Sequence, residues 1–232
     1  MIVSGLQQLD AFGRVTLTYY PCTEYKGYSN YDKTLLHGGH DNITPTQTSY
    51  DVMNRTVQIV MPDNTVTTSI YNLSNISGQS TFCTLVTDAL GHQSASYTNC
   101  SGLTVKSSQF HNNTEIATLF LYDGIQRPRY TINCEGDTTA YTYDMLDRQI
   151  EVKHPASGTT KLSYDLAGNL LTKQTANLAD KGTSVSYGYD FNLLTSVTYP
   201  EHPENNVRYI YGVDAGDGRN GRVAMKTDAS GG

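Results

Sequence analysis

Aspartate is the residue whose recurrence in this sequence could support chemistry. It returns at Asp10, Asp51, Asp88, Asp123, Asp144, Asp165 and Asp190, with Arg14, Arg55, His92, Arg127, Arg148 or Asn169 four residues beyond the first six. Paired carboxylates can exchange protons with a substrate, and an arginine fork can hold a phosphate or an acidic sugar. Repetition argues against both uses. A catalytic group is needed once, whereas a turn residue is needed at every turn. The sequence offers no G-x-S-x-G, H-E-x-x-H or phosphate-binding loop, and its only long glycine-rich run, from Gly212 to Gly221, lies between strand-like segments. No catalytic residue is assigned.

One compact cluster has ligand chemistry, His37-Gly38-Gly39-His40-Asp41. A metal needs three or four converging ligands supported from behind, and a glycine-rich surface loop is the better description of this stretch. The four cysteines, Cys22, Cys83, Cys100 and Cys134, are separated by 61, 17 and 34 residues and form no C-x-x-C pair. They are read as small strand-facing or buried thiols; three disulfide connectivities remain open. Neither a metal nor a cofactor is expected.

The elements that must position these aspartates follow from composition. In 232 residues there are 18 Tyr, 20 Gly and no Trp, and charged residues make up only 16%. β-Branched and aromatic side chains with frequent glycine favour strands and tight turns, and no stretch shows sustained helical periodicity. The net charge of −6, with scattered Lys and Arg, speaks against a nucleic-acid partner. There is no apolar run long enough for a membrane span and no signal-peptide pattern.

Read forward from each aspartate, the chain repeats itself. Asp10-Ala-Phe-Gly13-Arg14 returns as Asp51-Val-Met-Asn-Arg55, Asp88-Ala-Leu-Gly91-His92, Asp123-Gly-Ile-Gln-Arg127, Asp144-Met-Leu-Asp-Arg148 and Asp165-Leu-Ala-Gly168-Asn169. Asp190-Phe-Asn-Leu-Leu is a worn copy, and Asp214 to Arg222 carries a glycine-rich insertion. Tyrosine precedes the aspartate at Tyr50, Tyr122, Tyr143, Tyr164 and Tyr189. The Gly, Asn or Asp three residues on suits a left-handed turn position, and the aspartate can cap nearby N–H groups. The apolar residue between them (Phe12, Met53, Leu90, Ile125, Leu146, Ala167) is expected to anchor the turn inward. Pro21, Pro62, Pro155 and Pro200 mark turns or strand ends.

Each unit is thus a β-hairpin, marginal alone and stable when stacked on its neighbours. The expected fold is all-β: tandem antiparallel hairpins in one extended, curved and twisted sheet spanning residues 1–232. Aspartate spacings of 41, 37 and 35 give way to 21, 21, 25 and 24. Residues 1–120 therefore read as divergent repeats and 121–232 as regular ones, with insertions at Glu24–Thr48 and Asn72–Ser80.

The motif Tyr-Asp-x-x-Gly-(Arg/Asn)-Leu, best seen at Tyr141-Thr-Tyr-Asp-Met-Leu-Asp-Arg148 and Tyr164-Asp-Leu-Ala-Gly-Asn-Leu170, resembles the RHS or YD-repeat family. That resemblance implies an open segment of a β-sheet that winds into a hollow shell, as in bacterial polymorphic toxins, toxin-complex proteins and teneurins. It also implies a secreted or cell-surface setting, with other parts of a longer chain as partners. The chain has too few repeats to close a shell and lacks the proline-rich self-cleaving core motif, so no toxin or protease is inferred. Asn42, Asn54, Asn72, Asn75, Asn99 and Asn112 begin Asn-x-Ser/Thr triplets, which carry no glycosylation meaning in a bacterial source. The resulting expectation is a non-catalytic wall module, whose cut edges invite edge-to-edge self-association. A second reading has the tyrosine-rich sheet binding carbohydrate or protein.

Overall fold

The computed structural model describes residues 2–23, 44–112, 114–213 and 220–229. The His37–Asp41 cluster, Asp214 and the first insertion up to residue 43 lie outside them. The strands are β1 (Ile2–Val3), β2 (Gln7–Leu9), β3 (Val15–Thr18), β4 (Cys22–Thr23), β5 (Thr46–Tyr50), β6 (Thr56–Val60), β7 (Val66–Ile76), β8 (Gln79–Thr87), β9 (Gln93–Thr98) and β10 (Thr104–His111). They continue as β11 (Thr114–Tyr122), β12 (Pro128–Ile132), β13 (Thr138–Tyr143), β14 (Gln149–His154), β15 (Gly158–Tyr164), β16 (Leu170–Gln174), β17 (Val185–Asp190), β18 (Leu193–Thr198), β19 (Val207–Tyr211) and β20 (Val223–Thr227). Among the described residues helix is confined to α1 (Ala176–Ala179) and one 3-10 turn, Pro203–Asn205.

Eighteen strands form an open antiparallel sheet in sequence order; β1 and β4 make a separate two-stranded ladder. The chain divides into two compact units, Met1–Thr118 and Leu119–Gly232. Among the described residues only Thr81, Cys83, Ala95, Val105, Ser108 and Val197 are buried. All but Val197 fall in β8, β9 and β10 of the first unit, where the long β7–β8 hairpin gives its neighbours more cover. The second unit keeps both faces half-exposed.

The hairpin turns have one recurring geometry. At Asp144 the N–H bonds the Arg148 carbonyl at 2.9 Å, the Asp147 N–H bonds the Asp144 carbonyl at 3.3 Å, and Asp147 takes φ 63°. The register then slips by one residue between Thr142 and Tyr143. This is a three-residue loop closed by a left-handed residue and a bulge. The same slip marks the turns after Gln8, Ser49, Leu121 and Ser163.

Four sequence expectations need correction. The apolar residue two beyond the aspartate does not anchor the turn: Phe12 is 81% and Leu90 82% exposed, and Met53, Ile125 and Leu146 are exposed as well. Its N–H is drawn to the aspartate, and the side chain then projects from the tip. Asn72–Ser80 is no loop insertion but the paired end of a long β7–β8 hairpin, from Thr68↔Thr87 to Ile76↔Gln79. Its Asn and Ser residues suit two faces that are not enclosed. Cys83 is buried in β8, yet Cys100 and Cys134 are exposed in turns. The fourth correction concerns direction. Consecutive turns of an antiparallel meander alternate between its two ends, so the Asp88 turn (β8–β9) sits at the end opposite Asp10 (β2–β3) and Asp51 (β5–β6). Asn99, between β9 and β10, lies at the same end as Asp10 and Asp51.

Candidate functional site: an interlock between repeats

The Tyr-Asp repeat builds a joint between neighbouring hairpins. In five of the turns the aspartate Oδ1 accepts two backbone N–H bonds. For Asp144 they come from Leu146 at 2.8 Å and Arg148 at 2.9 Å; for Asp51, from Met53 at 2.8 Å and Arg55 at 2.9 Å. Asp10, Asp88 and Asp123 do the same. Oδ2 then receives the arginine Nε at 2.6–2.7 Å in Asp10–Arg14, Asp51–Arg55, Asp123–Arg127 and Asp144–Arg148. His92 replaces the arginine beside Asp88 at 3.0 Å, and Asn169 replaces it beside Asp165 at 2.8 Å.

These contacts hold the carboxyls of Asp10, Asp51 and Asp123 below the ordinary range, chiefly through the N–H of the arginine four residues on. Partial desolvation is the foremost influence on Asp88 and Asp144 and opposes the lowering, but the hydrogen bonds from His92 and Arg148 outweigh it. For Asp165 the Asn169 side chain is the main cause.

The arginine so oriented reaches the next repeat. Its guanidinium lies over a tyrosine ring: Arg14 over Tyr50 at 4.9 Å, Arg55 over Tyr71 at 4.3 Å, Arg127 over Tyr143 at 4.8 Å and Arg148 over Tyr164 at 5.0 Å. Nη1 also donates to the next turn, from Arg14 to the Asp51 carbonyl (3.0 Å) and from Arg148 to the Asp165 carbonyl (2.6 Å). Arg14 and Arg127 further bind the left-handed residues Asn54 and Asp147 at 3.0 and 2.7 Å. Asn169 makes the equivalent reach, donating to Phe191 O at 3.0 Å.

Tyrosine closes the joint in the other direction. The hydroxyls of Tyr50, Tyr71 and Tyr164 donate to the carbonyls of Val15, Thr56 and Gln149, each at 2.9 Å. In every case the acceptor directly follows the arginine that covers the ring. At Arg14–Tyr50 and Arg148–Tyr164 each side chain therefore bonds the carbonyl of the residue following its partner, and the aspartate fixes the arginine's direction.

The remaining sequence-derived positions fall into place around this joint. Gly13, Gly91 and Gly168 occupy the left-handed position with φ of 77°, 84° and 92°. Tyr122 and Tyr189 are half-buried at strand ends, and desolvation raises the Tyr189 hydroxyl pKa. Asp190 is different: it pairs with Leu193 as the last residue of β17, and a two-residue turn, Phe191-Asn192, replaces the capped loop.

The dipeptide search passes over several members. Tyr71 and Tyr211 make the tyrosine bond, Tyr211 to Leu194 O at 2.9 Å, although no aspartate follows them. Asn99 and Asn133 build the same capped turn: Oδ1 accepts the N–H groups of Ser101 and Leu103 at 3.0 Å and of Glu135 and Asp137 at 3.0 and 2.8 Å. The signal was present as Asn-x-x-Gly.

This arrangement can transmit rigidity from hairpin to hairpin. It presents no converging set of three metal-ligating side chains among the described residues. A shallow recess of about 650 Å³ on the second unit is lined by Thr142, Glu151, Lys161, Ser163 and Gln174 among others. No helix among the described residues is long and apolar enough to cross a membrane.

Capped-turn hairpins paired in tandem define a class of β-repeat sheet, and solved structures share its overall fold. The TcdB2-TccC3-TEV crystal structure aligns with 98% of this chain at a TM-score of 0.69 and 16% identity. The TcdB2-TccC3 crystal structure (TM-score 0.68, 17% identity) and the Photorhabdus luminescens Tc holotoxin pore (0.67, 17%) align over the same 98%. No family model and no curated protein matches the sequence. The likeness to these chains shows the fold, an antiparallel sheet of tandem β-hairpins. The chain spans 12% of the length of the solved chains it matches.

Proposed function

We propose that the chain is a non-catalytic structural module, one stretch of the β-sheet wall of a larger secreted or cell-surface RHS-type protein that encloses a C-terminal toxin. The observation that carries this reading is the joint itself. The groups that could have done chemistry, the aspartates and arginines, are spent on their own turn and on the next one. The residues named for the motif, from Asp10 to Asp190, act in this reading as repeat-building groups, and residues 1–232 as one array whose first half has drifted further from consensus. Its partners are the adjoining repeats of the longer chain. The tyrosine faces under Arg14, Arg55, Arg127 and Arg148 are already covered, which leaves them poor platforms for stacking a sugar. Electron microscopy of the full-length parent tests the proposal: a hollow shell is expected, and a parent particle without an enclosed volume would sink it.

A further inference from the structure

In the second unit the turn tips differ sharply between the two ends of the sheet. The turns β11–β12, β13–β14, β15–β16 and β17–β18 share one end. Their tips carry Ile125, Met145, Leu146, Leu166 and Phe191, all exposed, with Leu166 at 99% and Phe191 at 92%. At the opposite end the connections carry Glu135, Lys181, Glu201, His202 and Glu204, with Tyr199 only 36% exposed. Isolated exposed apolar residues need no explanation, but a row of nearly bare side chains concentrated at one end marks a contact surface.

We propose that this row is a protein–protein interface, and that its occupant is the same row on a second copy of this chain. The geometry favours a like partner. Neighbouring tips are two strands apart, about 10 Å at the usual strand spacing. A row of knobs at constant pitch is complementary to an identical row displaced by half a pitch, so Leu166 of one copy seats between two tips of the other. A twofold axis makes that contact self-complementary and closed. The exposed side chains offer on the order of 800 Å², the share of one partner in a standard interface.

Charge disfavours a lipid surface as the occupant. Among the described residues of this end, Arg127, Arg148 and Arg222 are outnumbered by Asp123, Asp144, Asp147, Asp165 and Asp190. Arg127 and Arg148 are also tied to Asp123 and Asp144 at 2.7 Å. An apolar ridge whose rim is net acidic is poorly matched to anionic headgroups, which draw peripheral proteins through clustered cations. The same rim makes the dimer salt-sensitive, since screening weakens the repulsion between two acidic edges.

Sedimentation velocity over a concentration series tests the proposal. The chain should dimerise, and more tightly at higher salt. Leu166→Glu and Phe191→Glu, at positions with no packing to lose, should each weaken the dimer by about tenfold or more. Ala156→Glu adds the same charge at the opposite end and should leave the dimer unchanged, while circular dichroism confirms an intact sheet in each variant. A chain that stays monomeric throughout overturns the proposal. So do ridge variants that dimerise like the parent, which moves the contact to the strand edges, or an Ala156→Glu variant that dissociates equally. Flotation of a monomeric chain with phosphatidylcholine vesicles overturns it in favour of lipid.

Discussion

The Arg148 guanidinium lies 5.0 Å from the centre of the Tyr164 ring, while the Tyr164 hydroxyl donates to the carbonyl of Gln149, the residue next to that arginine, at 2.9 Å. Each residue thus holds the backbone on its partner's side of the repeat boundary. Tyr164→Phe keeps the ring under the arginine and removes only the hydroxyl bond, a loss of about 1 kcal/mol. Arg148→Lys removes the planar fork and the stacking, worth about 0.5–1 kcal/mol at a half-exposed site. Groups in one joint do not act independently, so the double variant should depart from the sum by 0.5 kcal/mol or more, as is typical of contacting residues. Urea unfolding of the four proteins measures this; strict additivity would separate the two contacts.

The left-handed turn position yields a pair of opposite effects. Gly168 sits at φ 92° with open space where a Cβ would be, so Gly168→Ala carries the backbone strain alone, about 1–2 kcal/mol. Gln126 already bears that strain at φ 71°, and Gln126→Gly should stabilise by roughly 0.5–1 kcal/mol. Thermal melts of both variants should move in opposite directions. A shift of the same sign in both would show that something other than φ governs this position.

The fold was legible because its units are short and local. A capped three-residue loop is written into five consecutive residues, and Tyr, Thr and Val alternation declares the strands around it. The joint was less legible. That Arg148 bonds Asp144 is a four-residue relation, but its reach to Asp165 becomes visible only when adjacent hairpins pair, seventeen residues apart. The exposed tips were misread for a physical reason: Phe12 and Leu146 look like anchors only if a second layer covers them, and no second layer does. Asp88 begins a run that matches the repeat's turn, Asp-x-x-Gly, but strand counting alone decides which end of the sheet a turn occupies.

Thiol accessibility separates the cysteines. Cys83 is 9% exposed in β8, whereas Cys100 and Cys134 stand in open Asn-Cys-x-Gly turns. Native alkylation followed by peptide mapping should modify Cys100 and Cys134 rapidly and Cys83 only after denaturation. Rapid native labelling of Cys83 would mean that the β7–β8–β9 region opens easily.

Acid should unfasten the array. Asp10, Asp51, Asp88, Asp123, Asp144 and Asp165 all have pKa values lowered from 3.8. A carboxyl depressed in the folded state binds fewer protons there than in the unfolded chain. Its stabilisation is therefore complete above the unfolded value near 3.8 and is lost as pH falls through the folded value. The chain should hold constant stability through the neutral range and lose it progressively below pH 3.8. Asp144→Asn isolates one joint. Asparagine retains the Oδ1 acceptor, as Asn99 and Asn133 demonstrate in their own turns, so the capped loop survives and only the bond to Arg148 is lost. The variant should melt below the parent at pH 7, and the gap should close at a pH beneath the folded carboxyl value, where the parent's own aspartate is protonated. An equal gap at both pH values would assign Asp144 to turn geometry alone and leave the arginine oriented by its stacking on Tyr164.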